Sequence, residues 1–292
     1  MFKINYLRVF ILVFTCLVGF FNVWSATPVV APNYGEKSLI GPLYFGPNAF
    51  PTPPVLKGIN DSTLNVYIGA DEQWGQVGRT EYGNAGERTT TIQAHLSIPL
   101  FTQRVTLNLW MPVMEFYENT HFGQGHGAGD VYVSTDIQIL NQRQYVPAIL
   151  LRAALKTASG GEYEKYRFYD SPGYFFDLAI AKSFTISPDW LIHLAGSAGF
   201  LCWQTDNGRQ NDAVMYAVDA ELRHRYWSLI AQYAGYTGWE RIGDRPMVIR
   251  AAIYGHINNF EPLLGYEYGI RDYPFHTIRL GLRYKFSILK KQ

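Results

Sequence analysis

The sequence predicts an all-β protein, a twelve-stranded antiparallel transmembrane β-barrel with long extracellular loops and short periplasmic turns. Three observations carry this. Apolar and polar residues alternate with a period of two along most of the chain, the segments between these runs are by turns short and long, and an apolar leader precedes them. A barrel wall wet on one face and lipid-covered on the other requires that alternation.

Composition agrees with the pattern. The 292 residues are 48% apolar and 16% aromatic, with 21 Tyr, but only 17% charged, which is how a large β-structure reads. A formal net charge of +1 lacks the basic excess of a nucleic-acid binder, so no nucleic-acid partner is expected.

At the amino terminus, Lys3 and Arg8 precede an apolar run from Val9 to Phe21, and Val23, Ser25 and Ala26 follow it. This is the layout of a secretory signal peptide over residues 1–25. The run falls short of the ~20 residues a permanent membrane helix needs. Thr15 ahead of Cys16 also disfavours lipoprotein processing, and with the leader removed Cys202 has no partner for a disulfide.

Residues 26–61 are rich in Pro and Gly and show no alternation. A Pro-rich terminus is by default a disordered tail. Tyr34, Leu43, Tyr44, Phe45, Phe50, Val55 and Leu56 give it more apolar surface than such a tail carries, so residues 40–56 are expected to fold into the periplasmic mouth or the lumen. Phe45 and Phe50 would anchor this plug.

The barrel itself is expected over residues 62–286, ahead of a polar tail at 287–292. Leu64, Val66, Ile68 and Ala70 alternate with Asn65, Tyr67, Gly69 and Asp71; Ile92 to Ile98, Val105 to Val113 and Val131 to Ile139 alternate likewise. Eight further strands fall near 146–156, 174–184, 190–203, 212–223, 228–237, 246–257, 261–269 and 275–286. Short connections at 99–104, 140–145, 185–189, 224–227 and 258–260 alternate with long polar ones at 75–88, 116–129, 157–173, 204–211 and 238–245, and a compact loop at 270–274 comes last. An even count leaves both ends on the periplasmic side. A soluble sandwich would have to bury Asp136, Arg152, Asp219, Arg250 and Glu267 in its core, whereas a wet lumen accommodates them. His95, Asn108, Asp136, Arg152, Asp219, Arg250, Glu267 and Arg279 are therefore expected to line the lumen. Their mixed signs do not suggest a strongly ion-selective pore. Trp74, Trp110, Phe116, Trp190, Trp203, Tyr226, Trp227 and Tyr236 fall near strand ends, where amphipathic rings suit the headgroup layer.

In the last strand, Arg279, Gly281, Tyr284 and Phe286 resemble the recognition signal at the end of bacterial outer-membrane barrels, although "SILKKQ" continues past the aromatic. The resemblance implies the outer membrane of a Gram-negative bacterium, with its lipids and assembly machinery as partners. The run "GQGHGAGDVYVSTDIQIL" with Gly129-Asp130-Val131, followed by "PAILLRAALKTASG", resembles the outer-membrane barrels named for the meta-pathway of phenol degradation. That resemblance implies a channel for passive transport of small-molecule solutes, hydrophobic or aromatic compounds among them.

The sequence offers two other readings. His95 and Ser97 share a face, and pairing across 99–104 is expected to put Asn108 opposite His95, so the three resemble the His-x-Ser plus Asn triad of outer-membrane phospholipase A. Here they face the lumen rather than the lipid, and Ser97-Ile98-Pro99 replaces that enzyme's Ser-Asn-Gly, so a polar lumen cluster is expected and no catalytic residue. A barrel that only anchors surface loops is the other alternative. His121, His126 and Asp130 share one Gly-rich loop that nothing fixes for metal ligation, so neither a metal nor a cofactor is expected.

The alternation of connections gives the wall a sidedness. Cysteines placed at Gly161 and Asn207 should react on whole cells with an impermeant maleimide, and one at Asn141 should not. Labelling at Asn141 alone would invert the topology.

Overall fold

The computed structural model describes residues 53–61, 63–80, 83–100, 104–119, 123–160, 172–204, 210–238, 245–271 and 275–286. The plug candidates Phe45 and Phe50 lie outside them. The strands are β1 (Leu64–Thr80), β2 (Gly83–Pro99), β3 (Val105–Asn119), β4 (Gly123–Gly127), β5 (Tyr132–Leu140), β6 (Ala148–Lys156) and β7 (Gly173–Ser187). They continue as β8 (Trp190–Gln204), β9 (Gln210–His224), β10 (Trp227–Gly238), β11 (Met247–Gly255), β12 (Phe260–Arg271) and β13 (Phe275–Phe286).

Each strand pairs antiparallel with its sequence neighbour, except that β4 folds back on the end of β3, and β3 then pairs with β5. β1 pairs with β13 from Leu64↔Phe286 to Gly75↔Phe275, which closes twelve strands into a barrel. The alternation forces the two faces apart. Ile68, Ile137, Phe176, Ile180, Val218, Leu229, Leu264 and Leu280 are exposed, whereas Asp71, Arg152, Asp177, His193, Asp219 and Glu221 are buried. The protein is thus polar within and apolar without, as a wall surrounded by hydrocarbon must be. Among the described residues no helix is long and apolar enough to cross a membrane.

Sequence alternation underestimates the strands at one end. Residues 75–88, expected as a loop, continue the β1–β2 ladder to Thr80↔Gly83, and β3 runs on to Asn119 to pair with β4. These extensions, "GQVGRT" and "GNAGERTT", hold Gly, Thr and charged residues. Their backbone ladder persists although apolar residues no longer mark one face. On the opposite rim the turns are tight, at 188–189 and 225–226, and Asn258 takes a φ of 56° in the turn that joins β11 to β12. Asn tolerates that left-handed conformation well.

Two of the expected rim aromatics are inside. Trp110 stacks on Tyr132 with ring centroids 3.6 Å apart, and Tyr236 is buried among Phe175, Leu201 and Met215. Strand parity, which nearness to a strand end does not reveal, decides the face. Trp190 and Trp227 do cluster, edge to face at 5.5 Å, beside His224 and Tyr226.

Candidate functional site

The inner wall is a lattice of charge-assisted hydrogen bonds between neighbouring strands. Arg152 Nε and Nη2 donate to the two oxygens of Asp177 at 2.7 and 2.6 Å. Arg279 donates from Nε and Nη2 to Asp71 at 2.6–3.0 Å across the β1–β13 seam, and Gln93 Nε2 donates to the same carboxylate at 2.6 Å. Arg250 Nε donates to Glu267 at 2.9 Å, and Gln232 Nε2 to Asp219 at 2.6 Å. Facing positions on adjacent strands stand about 5 Å apart at Cβ, so a guanidinium and a carboxylate placed there meet without strain.

Arg152, Asp219, Arg250, Glu267 and Arg279 all belong to this lattice. Asp136 lies in register with Arg152, whose fork turns instead to Asp177 on the other side. Asn108 Nδ2 donates to Ser134 Oγ at 3.4 Å, and His95 Nε2 meets Gln93 Oε1 at 3.0 Å. The expected pairing of Asn108 with His95 is two residues out. Leu100 N donates to Val105 O to close the hairpin, which sets Asn108 opposite Ser97 and Trp110 opposite His95. Neither Ser97 nor Asn108 holds the imidazole, so the arrangement that would activate a serine is not assembled.

Sequence reasoning missed an aromatic row. Tyr67, His95, Trp110 and Tyr132 are successive register partners on four strands, with rings 5.0, 5.8 and 3.6 Å apart. Tyr67 also lies flat over the seam. A Cβ on Gly69 would come within 2.2 Å of its hydroxyl, and one on Gly281 within 2.4 Å of its ring. Gly281, expected as part of an assembly signal, is thus also the seat of a buried phenol. The signal for this was visible as two glycines whose strands pair.

Ahead of β1, residues 53–61 form a strap against the inner wall. Leu56 packs with Leu150 and Ala179, while Val55 packs against Ala217, Ala234, Val248 and Phe275. These two groups belong to β6 and β7 on one hand and to β9, β10, β11 and β13 on the other, so the strap lies within the lumen. Polar ties hold it. His193 Nε2 is 2.8 Å from Lys57 O, Lys57 Nζ donates to Glu221 at 3.0 Å, Gln138 Nε2 donates to Gly58 O at 3.1 Å, and Asn60 N donates to Gln138 Oε1 at 2.7 Å. Gly58 adopts a φ of 73°, and a Cβ there would meet Ala181 Cβ at 2.5 Å, so only glycine lets the strap turn this close to β7.

Below the strap, at the rim of tight turns, opens a cavity of about 720 Å3 lined by Lys57, Glu221, Arg223, Tyr254, Glu261, Arg283 and Lys285 among others. Two inner carboxylates here each serve more than one cation. Glu221 pairs with Lys57 and Arg223, and Glu261 with Arg283 at 3.3 Å and Lys285 at 2.7 Å. His256 Nδ1 lies 3.0 Å from Glu261 as well.

On the other rim, Asp130 does structural service. It pairs with Lys156 through one oxygen, and its other oxygen accepts from Ser159 N at 2.8 Å and Gly160 N at 2.6 Å. A carboxylate so engaged pins the start of the loop after β6 and is not open to a metal. His121 lies outside the described residues, among which no group of metal-ligating side chains gathers.

No family model matches this chain, and no curated protein does. Solved structures do. An outer membrane channel from Pseudomonas putida F1 superposes with a TM-score of 0.58 at 12% identity, over 80% of this chain and 99% of that one. The chain folds as an outer-membrane β-barrel. The transport unit of the autotransporter AIDA-I from Escherichia coli shares this barrel fold at a TM-score of 0.50 and 14% identity, over 82% of this chain and 95% of its own.

The pairing of Arg250 with Glu267 predicts an asymmetric cost. Removing one partner leaves a confined charge and loses about 1–3 kcal/mol, whereas removing both leaves none. Arg250→Ala should lower the melting temperature of the purified barrel more than Arg250→Ala/Glu267→Ala does. Equal effects would dissolve the pair.

Proposed function

We propose that the protein is a channel for passive transport of small molecules across the Gram-negative outer membrane. One observation carries the reading: a closed wall, apolar outside, surrounds an interior of ionised, hydrogen-bonded side chains that ends at one rim in an open, charged cavity. A barrel needs no such interior to sit in lipid, but a water-soluble solute needs one to pass. The Gly129-Asp130-Val131 resemblance to the phenol-degradation barrels and the likeness to the Pseudomonas outer membrane channel support the same reading. Lattice and cavity alike favour polar solutes over hydrocarbons. The strap serves as the constriction, since it crosses the lumen on specific ties.

In planar bilayers the purified protein should give discrete conductance steps. Deleting Thr27 to Gly58 from the mature protein should leave assembly intact and raise the single-channel conductance. Unchanged conductance, with rapid proteolysis of that segment in the intact barrel, would make it a tail. Phospholipid hydrolysis that vanished in Ser97→Ala would establish a barrel lipase instead.

A further inference from the structure

Along the wall Arg152, Arg250 and Arg279 are each paired with a carboxylate, whereas at the tight-turn rim cations outnumber carboxylates. Around the 720 Å3 cavity, Lys57, Arg223, Arg225, Arg283 and Lys285 face three carboxylates, those of Asp189, Glu221 and Glu261. Glu221 and Glu261, whose side chains are 3% and 8% exposed, sit behind the cations and each divides its single charge between two of them. Such an arrangement fixes the cations in place without neutralising them. Arg283 adds a second sign. Its Nη1 is committed to Glu261 and its plane lies over Tyr254, 5.4 Å from the ring centre, yet its Nε is buried with no hydrogen-bond partner. A buried donor without an acceptor stands out in a lattice where the neighbouring guanidiniums are forked onto carboxylates.

We infer that this cavity is a binding subsite for a small hydrophilic organic carboxylate, held by Arg223, Arg283 and Lys285. The inference rests on the channel reading for its purpose, though not for its chemistry. A carboxylate entering the cavity would offset the positive excess, and its oxygens match guanidinium and ammonium donors already positioned by Glu221 and Glu261. The volume lies within the range of ordinary ligand pockets and admits a sugar acid. Charged and polar side chains predominate in the lining beside Pro188, Trp190, Leu191 and Ile230, which suits a ligand whose organic part carries hydroxyl groups.

The test compares gluconate with glucose, two molecules of similar size that differ in one charge. Calorimetry on the full-length protein in detergent should show gluconate binding and none by glucose at the same concentration. Arg223→Gln/Lys285→Gln leaves Glu221 with Lys57 and Glu261 with Arg283, so the barrel should melt as before while gluconate affinity falls about tenfold or more. Equal binding of the two ligands, or undiminished gluconate binding by a variant of unchanged melting temperature, would overturn the subsite. Gluconate binding in a protein that never conducts would uphold the subsite and sink the channel. Conductance without gluconate binding would do the reverse.

Discussion

Everything in this barrel depends on the closure of β1 against β13. A sheet surrounded by hydrocarbon has no water to satisfy its edge N–H and C=O groups, so an open edge in the membrane would leave a row of them unpaired at several kcal/mol each. Pairing from Leu64 with Phe286 to Gly75 with Phe275 removes that edge, and it joins the first and last strands across about two hundred residues of chain. The side chains reinforce it from within. Arg279 and Asp71 bridge the seam as a fork, and Tyr67 lies across it.

Once the wall is closed, alternation does the rest. The outer positions meet lipid and need no partner, while the inner ones face one another across adjacent strands and must be satisfied there. Arg152 with Asp177 and Arg250 with Glu267 show how this is met: ions of opposite sign are set at facing positions, so that neither is confined alone. The same economy fails at the tight-turn rim, where cations outnumber carboxylates, and that failure gives the interior a chemical direction.

The fold was legible in the sequence because a period of two, sustained over strand after strand, admits few alternatives. What the pattern concealed has physical causes. The ends of β1, β2 and β3 keep their backbone ladder where apolar residues no longer mark one face, so "GQVGRT" reads as loop although it is strand. The offset of Asn108 from His95 was set by which residues close a hairpin, Leu100 and Val105, and composition does not reveal that. Arg250 and Glu267 were legible as partners because a tight turn between their strands leaves little freedom of register. The inner strap was foreshadowed by Val55 and Leu56, but its polar ties to Glu221, His193 and Gln138 join residues far apart in the chain, and only the closed wall brings them together.

The phenol of Tyr67 occupies the space of two missing methyl groups, one on its own strand at Gly69 and one across the seam at Gly281. Neither glycine can gain a side chain while the ring stays, and loss of the ring would leave a groove along the joint. The three positions therefore form one inherited unit. In descendants of this chain, residues 67, 69 and 281 are constrained to drift together or not at all.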